Sequence, residues 1–281
     1  MRVGRLTFRR CRDCASLFVD YPPSASATAS LYAGQRYFTN PRFGTPAAGA
    51  FHGYKDYLAD RAPIEAKFDE VLERVERHVA PGRLLDVGAG PGLLLAVARA
   101  RGWRAEGVDP NPWAAAHARA HIGVEVRVGT ASGGTLDEAA FDAVTMMDLI
   151  EHLAAPEEAV AEAARATRPG GILAVLTPDA GSAVSRLLGR RWPELLRAPE
   201  HLVLFSVRGL RALVERLGYR SLGWHSVGKT STARTLVADV SPTAPGLSHP
   251  LSFAVERTGL ADRTVRFDPH TKFCLYARRV I

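Results

Sequence analysis

Long apolar runs are missing from this chain. Its apolar stretches are short and broken by Arg or Asp, far from the roughly 20 residues that a membrane-spanning helix needs. The first residues, MRVGRLTFRRCRDC, are basic but lack the apolar core of a secretory signal. Cysteine is scarce, 3 in 281 residues, which argues against a disulfide framework. No internal repeat is visible. Lysine is rare, and arginine supplies nearly all of the formal net charge of +7. These absences describe a globular protein expected in the cytoplasm.

At 47% hydrophobic and 23% charged, the composition is ordinary for a globular chain. The length suits one or two domains with a well-formed core. The arginines gather between Arg2 and Arg12 and between Arg186 and Arg197. Such clusters point to a phosphate-bearing partner or to an Arg-rich surface with no partner. The second reading is favoured over nucleic acid, and a phosphorylated small substrate stays open.

The most informative stretch is LLDVGAGPGLLLAVARARGWRAEGVDPNP, from Leu84 to Pro112. It reads as strand, glycine loop, helix, strand and acid, half of a nucleotide-binding α/β unit. Glycines at 88, 90 and 92 let the backbone approach a ligand where a Cβ would collide. Asp109, at the tip of the second strand, is placed to accept hydrogen bonds from both ribose hydroxyls. A dinucleotide fingerprint would want a third glycine where Leu93 stands.

Around this unit the periodicity predicts alternating helices and strands. A helix is expected over 63–80, then strands at 84–87, 105–109, 124–128, 141–147 and 172–176. Helices are expected over 93–101, 112–120, 157–167 and from Ser206 to Leu217, with a turn at Arg168-Pro169-Gly170-Gly171. Two last strands are expected at 219–227 and 272–278. Repeated βα units imply a parallel sheet covered on both faces. Residues 1–62 read as a separate N-terminal cap, with Cys11, Cys14 and an aromatic-rich segment. Residues 181–205 and the polar stretch 228–270 read as substrate-side cap segments of the main domain, 63–281.

The pattern Asp86-x-Gly88-x-Gly90-x-Gly92 resembles motif I of class I S-adenosylmethionine-dependent methyltransferases. FDAVTMMDLIEHL at 141–153 looks like the fourth strand of that family and its following loop, and RPGG like the turn before strand five. EHLVLFS at 200–206, LYAGQRYF at 31–38 and GYKDY at 53–57 resemble segments of the ubiquinone-biosynthesis-type O-methyltransferases. The resemblance implies a doubly wound, mostly parallel, seven-stranded Rossmann-like α/β sheet. It implies S-adenosylmethionine as methyl donor and S-adenosylhomocysteine as product. The implied donor-binding residues are Asp86, Gly88, Ala89, Gly90, Gly92, Asp109, Pro110, Thr130, Met147, Asp148 and Tyr37. Two departures stand out. The acid often found after the third strand is replaced by Gly129-Thr130-Ala131-Ser132. Cys11 and Cys14 lack the second CxxC pair that completes a zinc ribbon in relatives, so no metal is expected.

Methyl transfer from a sulfonium to a hydroxyl is an in-line displacement that needs positioning and a base. The candidate catalytic residues are His152, His201 and Asp148. Glu151 reads as an anchor of its loop, and Cys274 as a small buried hydrophobe. Tyr32, Tyr37, Phe38, Tyr54 and Tyr57 read as a lid over donor and substrate or as a satellite core. Trp192 reads as a substrate platform or a hydrophobic clip. The leading function is O-methylation of a small molecule, such as a natural product, sugar or quinone-type acceptor. Nucleic-acid methylation is second, lacking a Pro-Pro-aromatic loop after strand four. A non-catalytic donor-binding subunit is third.

Overall fold

A computed structural model describes residues 1–3, 6–23, 31–32, 34–40, 56–131, 134–232, 250, 253–258 and 264–280. Tyr54, Ser132 and most of the 228–270 stretch lie outside the described residues. In chain order the strands are β1 (Arg2–Val3), β2 (Leu6–Arg10), β3 (Leu17–Val19), β4 (Arg83–Val87), β5 (Arg104–Asp109), β6 (Val126–Val128), β7 (Phe141–Met147), β8 (Thr167–Pro178), β9 (Val203–Leu204), β10 (Tyr219–Ser226), β11 (Lys229–Thr232), β12 (Thr264–Phe267) and β13 (Lys272–Arg279). The α-helices carried here are α1 (Arg61–Glu76), α2 (Leu93–Ala100), α3 (Pro112–His117), α4 (Pro156–Ala166), α5 (Ala183–Leu188), α6 (Pro193–Leu196) and α7 (Val207–Arg216). No helix among the described residues is long and apolar enough to cross a membrane.

Seven strands pair in the order β10-β13-β8-β7-β4-β5-β6. β8, β7, β4, β5 and β6 run parallel, and β13 is antiparallel to both of its neighbours. The central strands are apolar on both sides because both sides are covered. Val144 and Met146 of β7 join Val160 of α4 and Leu210 of α7 in one core. Ala143 and Met147 join Leu72 of α1 and Leu94 of α2 in the other. Side chains alternate along a strand, so a single run such as FDAVTMM feeds both layers.

Helix ends follow local chemistry. Asn111 caps α3 by accepting from the backbone N–H groups of Trp113 and Ala114, with Pro112 at the first helical position. Ser206 caps α7 by accepting from the Gly209 N–H. The turn expected at Arg168–Gly171 is corrected: those residues lie within β8. Phe141 pairs with Thr167 and Ala143 with Ile172, so the extra residues bulge inside the strand. Thr167 is held there by its hydroxyl, which donates to the Ala163 carbonyl at 2.7 Å and meets the Tyr219 hydroxyl at 2.9 Å.

The N-terminal segment packs with a later part of the chain. The N-terminal strands form a second sheet in the order β1-β2-β3-β9, and β9 comes from residues after α6. Phe8, Leu17 and Val19 pack with Trp192, Leu195, Leu202 and Leu204 in a third core. The strands β1, β2 and β3 and the segment 180–205 therefore form one structural element. Trp192 is 2% exposed, so it is the clip of this cap and not a substrate platform.

Candidate active site

The carboxyl ends of β4, β5 and β7 meet at one edge of the sheet, where open α/β sheets bind ligands. Gly88, Gly90 and Gly92 follow β4, all with positive φ. At Gly90 (φ +50°) an added Cβ would lie 3.3 Å from the Phe38 ring, and at Gly92 (φ +85°) 2.6 Å from Val124. Both the conformation and the space therefore require glycine. Asp109, at the end of β5, braces this loop. Its carboxylate accepts from the Gly90 N–H and from the Asn111 N–H, each at 2.8 Å. Burial raises the Asp109 carboxyl, and these two N–H groups oppose the rise. Asp86 is 2% exposed and accepts from the Thr145 hydroxyl at 2.7 Å. Burial pushes it up to about 7, against the Thr145 bond.

Aromatic residues of the cap lie against the loop. Phe38 stacks on Trp113 at 5.6 Å and meets Tyr37 and Tyr57 edge-on at 5.1 and 5.7 Å. The Asn111 amide donates to the carbonyls of Tyr32 (2.7 Å) and Gly34 (3.0 Å), tying the cap to α3. Thr130 lies beyond β6, and its carbonyl accepts from the Thr135 hydroxyl at 3.0 Å.

Beyond β7 the chain turns sharply at Asp148 (φ +51°). The Asp148 carboxylate sits between two ammonium groups, Lys272 at 2.8 Å and Lys67 at 2.9 Å. Burial works against its charge, but Lys272 and Lys67 outweigh it and hold the carboxyl well below the usual carboxylate range. This arrangement weighs against a base role for Asp148. A carboxylate so stabilised by two cations is a poor proton acceptor.

His152 and His201 are brought together, their rings 4.8 Å apart. Nδ1 of His152 lies 3.1 Å from the Glu200 carbonyl and 3.1 Å from the Tyr32 hydroxyl. Nδ1 of His201 lies 2.8 Å from the Glu194 carbonyl. A carbonyl only accepts, so each Nδ1 carries the hydrogen. Each Nε2 therefore keeps its lone pair. Burial lowers both imidazoles, and in His201 the neighbouring His152 adds to the effect. Both rings are neutral at pH 7, the form a base requires.

Around them most polar groups are paired. Tyr37 donates to Glu200 at 3.0 Å, and Arg197 pairs with Glu200 at 2.6 Å. Glu151 accepts from the Thr177 hydroxyl at 2.9 Å, and its own carbonyl accepts from the Leu202 N–H at 2.8 Å. Glu151 thus anchors its loop as the sequence suggests. Burial, then the nearby Asp148, pushes its carboxyl up to about 8. Ligand atoms of Glu151, His152 and His201 lie within 4.8 Å of one another. These three are the described side chains that could hold a cation, with their Nδ1–H groups on carbonyls as bound histidines have them. Cys11 and Cys14 sit in the β2–β3 turn as free thiols, and the Cys14 thiol donates to Ser16 at 3.3 Å. Cys274 is buried on β13, its thiol pushed up to about 12 by burial.

Sequence reasoning missed Lys67, Lys272, Asn111, Glu200 and Arg197. The Asp109-Pro-Asn-Pro run carried a capping signal for Asn111. The lysines carried none beyond their rarity, since α1 and β13 reach Asp148 only through the fold.

A family model described as a methyltransferase domain matches residues 57–222. A ubiquinone biosynthesis O-methyltransferase from Alkalilimnicola ehrlichii is 33% identical over 156 residues, 46% of this chain and 63% of that protein. The chain thus spans less than two thirds of the length of this relative. A SAM-dependent methyltransferase structure from Archaeoglobus fulgidus aligns over 78% of this chain and 94% of its own, with TM-score 0.54 and 17% identity. The Burkholderia thailandensis 1,6-didemethyltoxoflavin-N1-methyltransferase, solved with its substrate and S-adenosylhomocysteine, aligns over 99% and 100%, with TM-score 0.54 and 16% identity. The glycine loop, its bracing acid and the strand order agree with these matches: the chain belongs to the methyltransferase-domain family and has the fold of the class I S-adenosylmethionine-dependent methyltransferases.

Proposed function

We propose that this protein moves the sulfonium methyl group of S-adenosylmethionine onto a hydroxyl of a small molecule. The observation that carries this reading is the histidine pair. Two neutral imidazoles, each with Nδ1–H on a backbone carbonyl, keep their Nε2 lone pairs in one buried cluster just past β7. The donor sits on the backbone of Gly88, Ala89 and Gly90 and hands its ribose hydroxyls to Asp109. Pro110, Thr130, Met147 and Tyr37 complete its surroundings. The resemblance to ubiquinone biosynthesis O-methyltransferases supports an oxygen acceptor.

The chemistry follows. The acceptor oxygen attacks the methyl carbon in line, the carbon–sulfur bond breaks, and S-adenosylhomocysteine leaves as a neutral thioether. One imidazole Nε2 takes the hydroxyl proton. Positioning and removal of water supply up to about 7 to 11 kcal/mol of the barrier, and a base contributes roughly 10²- to 10⁴-fold. The pair is held from the cap side by Tyr32 and by the Glu200 and Glu194 carbonyls. Thus the cap orients the base.

The test uses labelled S-adenosylmethionine with hydroxylated small-molecule extracts, for wild type, His152→Ala and His201→Ala. One variant is expected to lose activity by the factor above while S-adenosylhomocysteine affinity stays near wild type. Full activity in both variants across pH would defeat histidine catalysis. Labelling of bulk tRNA or rRNA in place of small molecules would move the acceptor to nucleic acid.

A further inference from the structure

Apart from Arg197, which pairs with Glu200 beside the histidines, the two arginine clusters take no part in the chemistry above, and the fold joins them. Arg190 donates to the carbonyl of Arg2, 188 residues away in sequence, at 3.3 Å. Arg2 lies on β1, the edge strand of the small sheet. Arg10 donates to the carbonyls of Ala15 (2.8 Å) and Ala180 (3.2 Å), bridging from β2 to the start of the segment that carries α5. Arg12 sits in the turn after β2, Arg186 on α5, and Arg191 beside Arg190.

Arg2, Arg10, Arg12, Arg186, Arg190 and Arg191 are all exposed. Among the described residues none of the six is in an ion pair. Arg9 differs, because Asp20 accepts from it at 2.7 Å. Asp13 is a further acid of this surface, and Asp179 lies near enough to Arg186 to feel its charge. The result is a ridge with an excess of cations, a focus for anionic partners. Leu187, next to Arg186 on α5 and a few residues before Arg190, is 87% exposed.

The shape and the leucine select the occupant. The ridge spreads over an edge strand, a hairpin turn and a helix, a footprint for a macromolecule. A phosphate backbone gains nothing from a bare leucine. A protein surface gains both an apolar anchor and carboxylates that match the guanidinium fork. Position adds a consequence: Arg191 leads through Trp192 directly into α6, where the Glu194 carbonyl holds His201. On the proposed function, a partner on the ridge sits next in sequence to the segment that holds the candidate base His201.

We infer that this ridge docks an acidic protein, whose carboxylates engage the arginines around an apolar recess for Leu187.

The test uses the full chain and three fluorescent probes: a helical peptide with glutamates around leucines, its glutamine-for-glutamate counterpart, and a single-stranded RNA of equal charge. Anisotropy is read at low and physiological salt. The glutamate peptide is expected to bind and the glutamine peptide not, with the affinity falling as salt rises. Arg190→Glu with Arg191→Glu should weaken binding by at least about tenfold, and Leu187→Ser by severalfold. These residues are exposed, so unchanged thermal unfolding and S-adenosylhomocysteine affinity certify that the variants fold. Equal binding of the two peptides, or none, overturns the inference. RNA binding tighter than the glutamate peptide and indifferent to Leu187→Ser overturns it too, and makes the ridge a nucleic-acid surface.

Discussion

Replacing Asp109 with alanine separates two roles of one carboxylate. The side chain is 8% exposed and holds the Gly90 and Asn111 N–H groups at 2.8 Å each. A carboxylate has about four lone-pair sites, so two remain for ribose hydroxyls. Loss of the hydroxyl contacts should weaken the donor by about 2 to 3 kcal/mol, roughly 30- to 150-fold in Kd. The orphaned N–H groups cost stability separately, on the order of 1 to 3 kcal/mol each unless water reaches them. Calorimetry with S-adenosylhomocysteine reads the first effect, and thermal unfolding reads the second. Asp109→Asn keeps the shape and one acceptor oxygen but loses the charge, so its Kd should fall between wild type and Asp109→Ala. Wild-type affinity in Asp109→Ala together with a lowered Tm would mean that Asp109 only braces the loop. NADH binding more tightly than S-adenosylhomocysteine would refute the donor itself.

Three further outcomes are expected. Activity should persist below pH 6.5 further than a solvent-exposed histidine allows, because burial lowers His152 and His201; a rate falling away with an apparent pKa of about 6.5 would contradict the buried, neutral pair. Glu151 has a folded value of about 8 against an ordinary 4.5, so its contribution to stability is complete below 4.5 and is lost as pH rises toward 8. Glu151→Gln should remove up to one proton's worth of that slope, about 1.4 kcal/mol per pH unit, and unfolding curves of identical slope would show that Glu151 is ionised in the fold. Metal analysis of purified protein should find no stoichiometric zinc tied to the β2–β3 turn, with activity retained in Cys11→Ser; one zinc per chain, lost in that variant, would mean ligands supplied from elsewhere.

The nucleotide-binding half-unit was legible because its signals are local. A strand of apolar residues, glycines where φ turns positive, a Pro-led helix and an acid 23 positions after Asp86 each act within a few residues. β7 runs over Phe141–Met147 as expected, since a strand covered on both faces has to be apolar throughout. The RPGG stretch misled for the opposite reason. Glycine and proline signal a turn locally, whereas pairing to β7 keeps the bulged segment inside β8.

What only the tertiary structure decided depends on residues far apart in the chain. Asp148 stands between two ammonium groups because α1 and β13 deliver Lys67 and Lys272 to it. Two histidines 49 positions apart became a pair because Leu202 bonds to Glu151 and Tyr32 reaches across from the cap. The cap itself proved continuous with residues 180–205 through the pairing of β3 with β9. Local sequence sets φ, ψ and the polarity of each face. Which charges end within 3 Å of one another is settled by strand order and packing, and through them by which protonation states are stable.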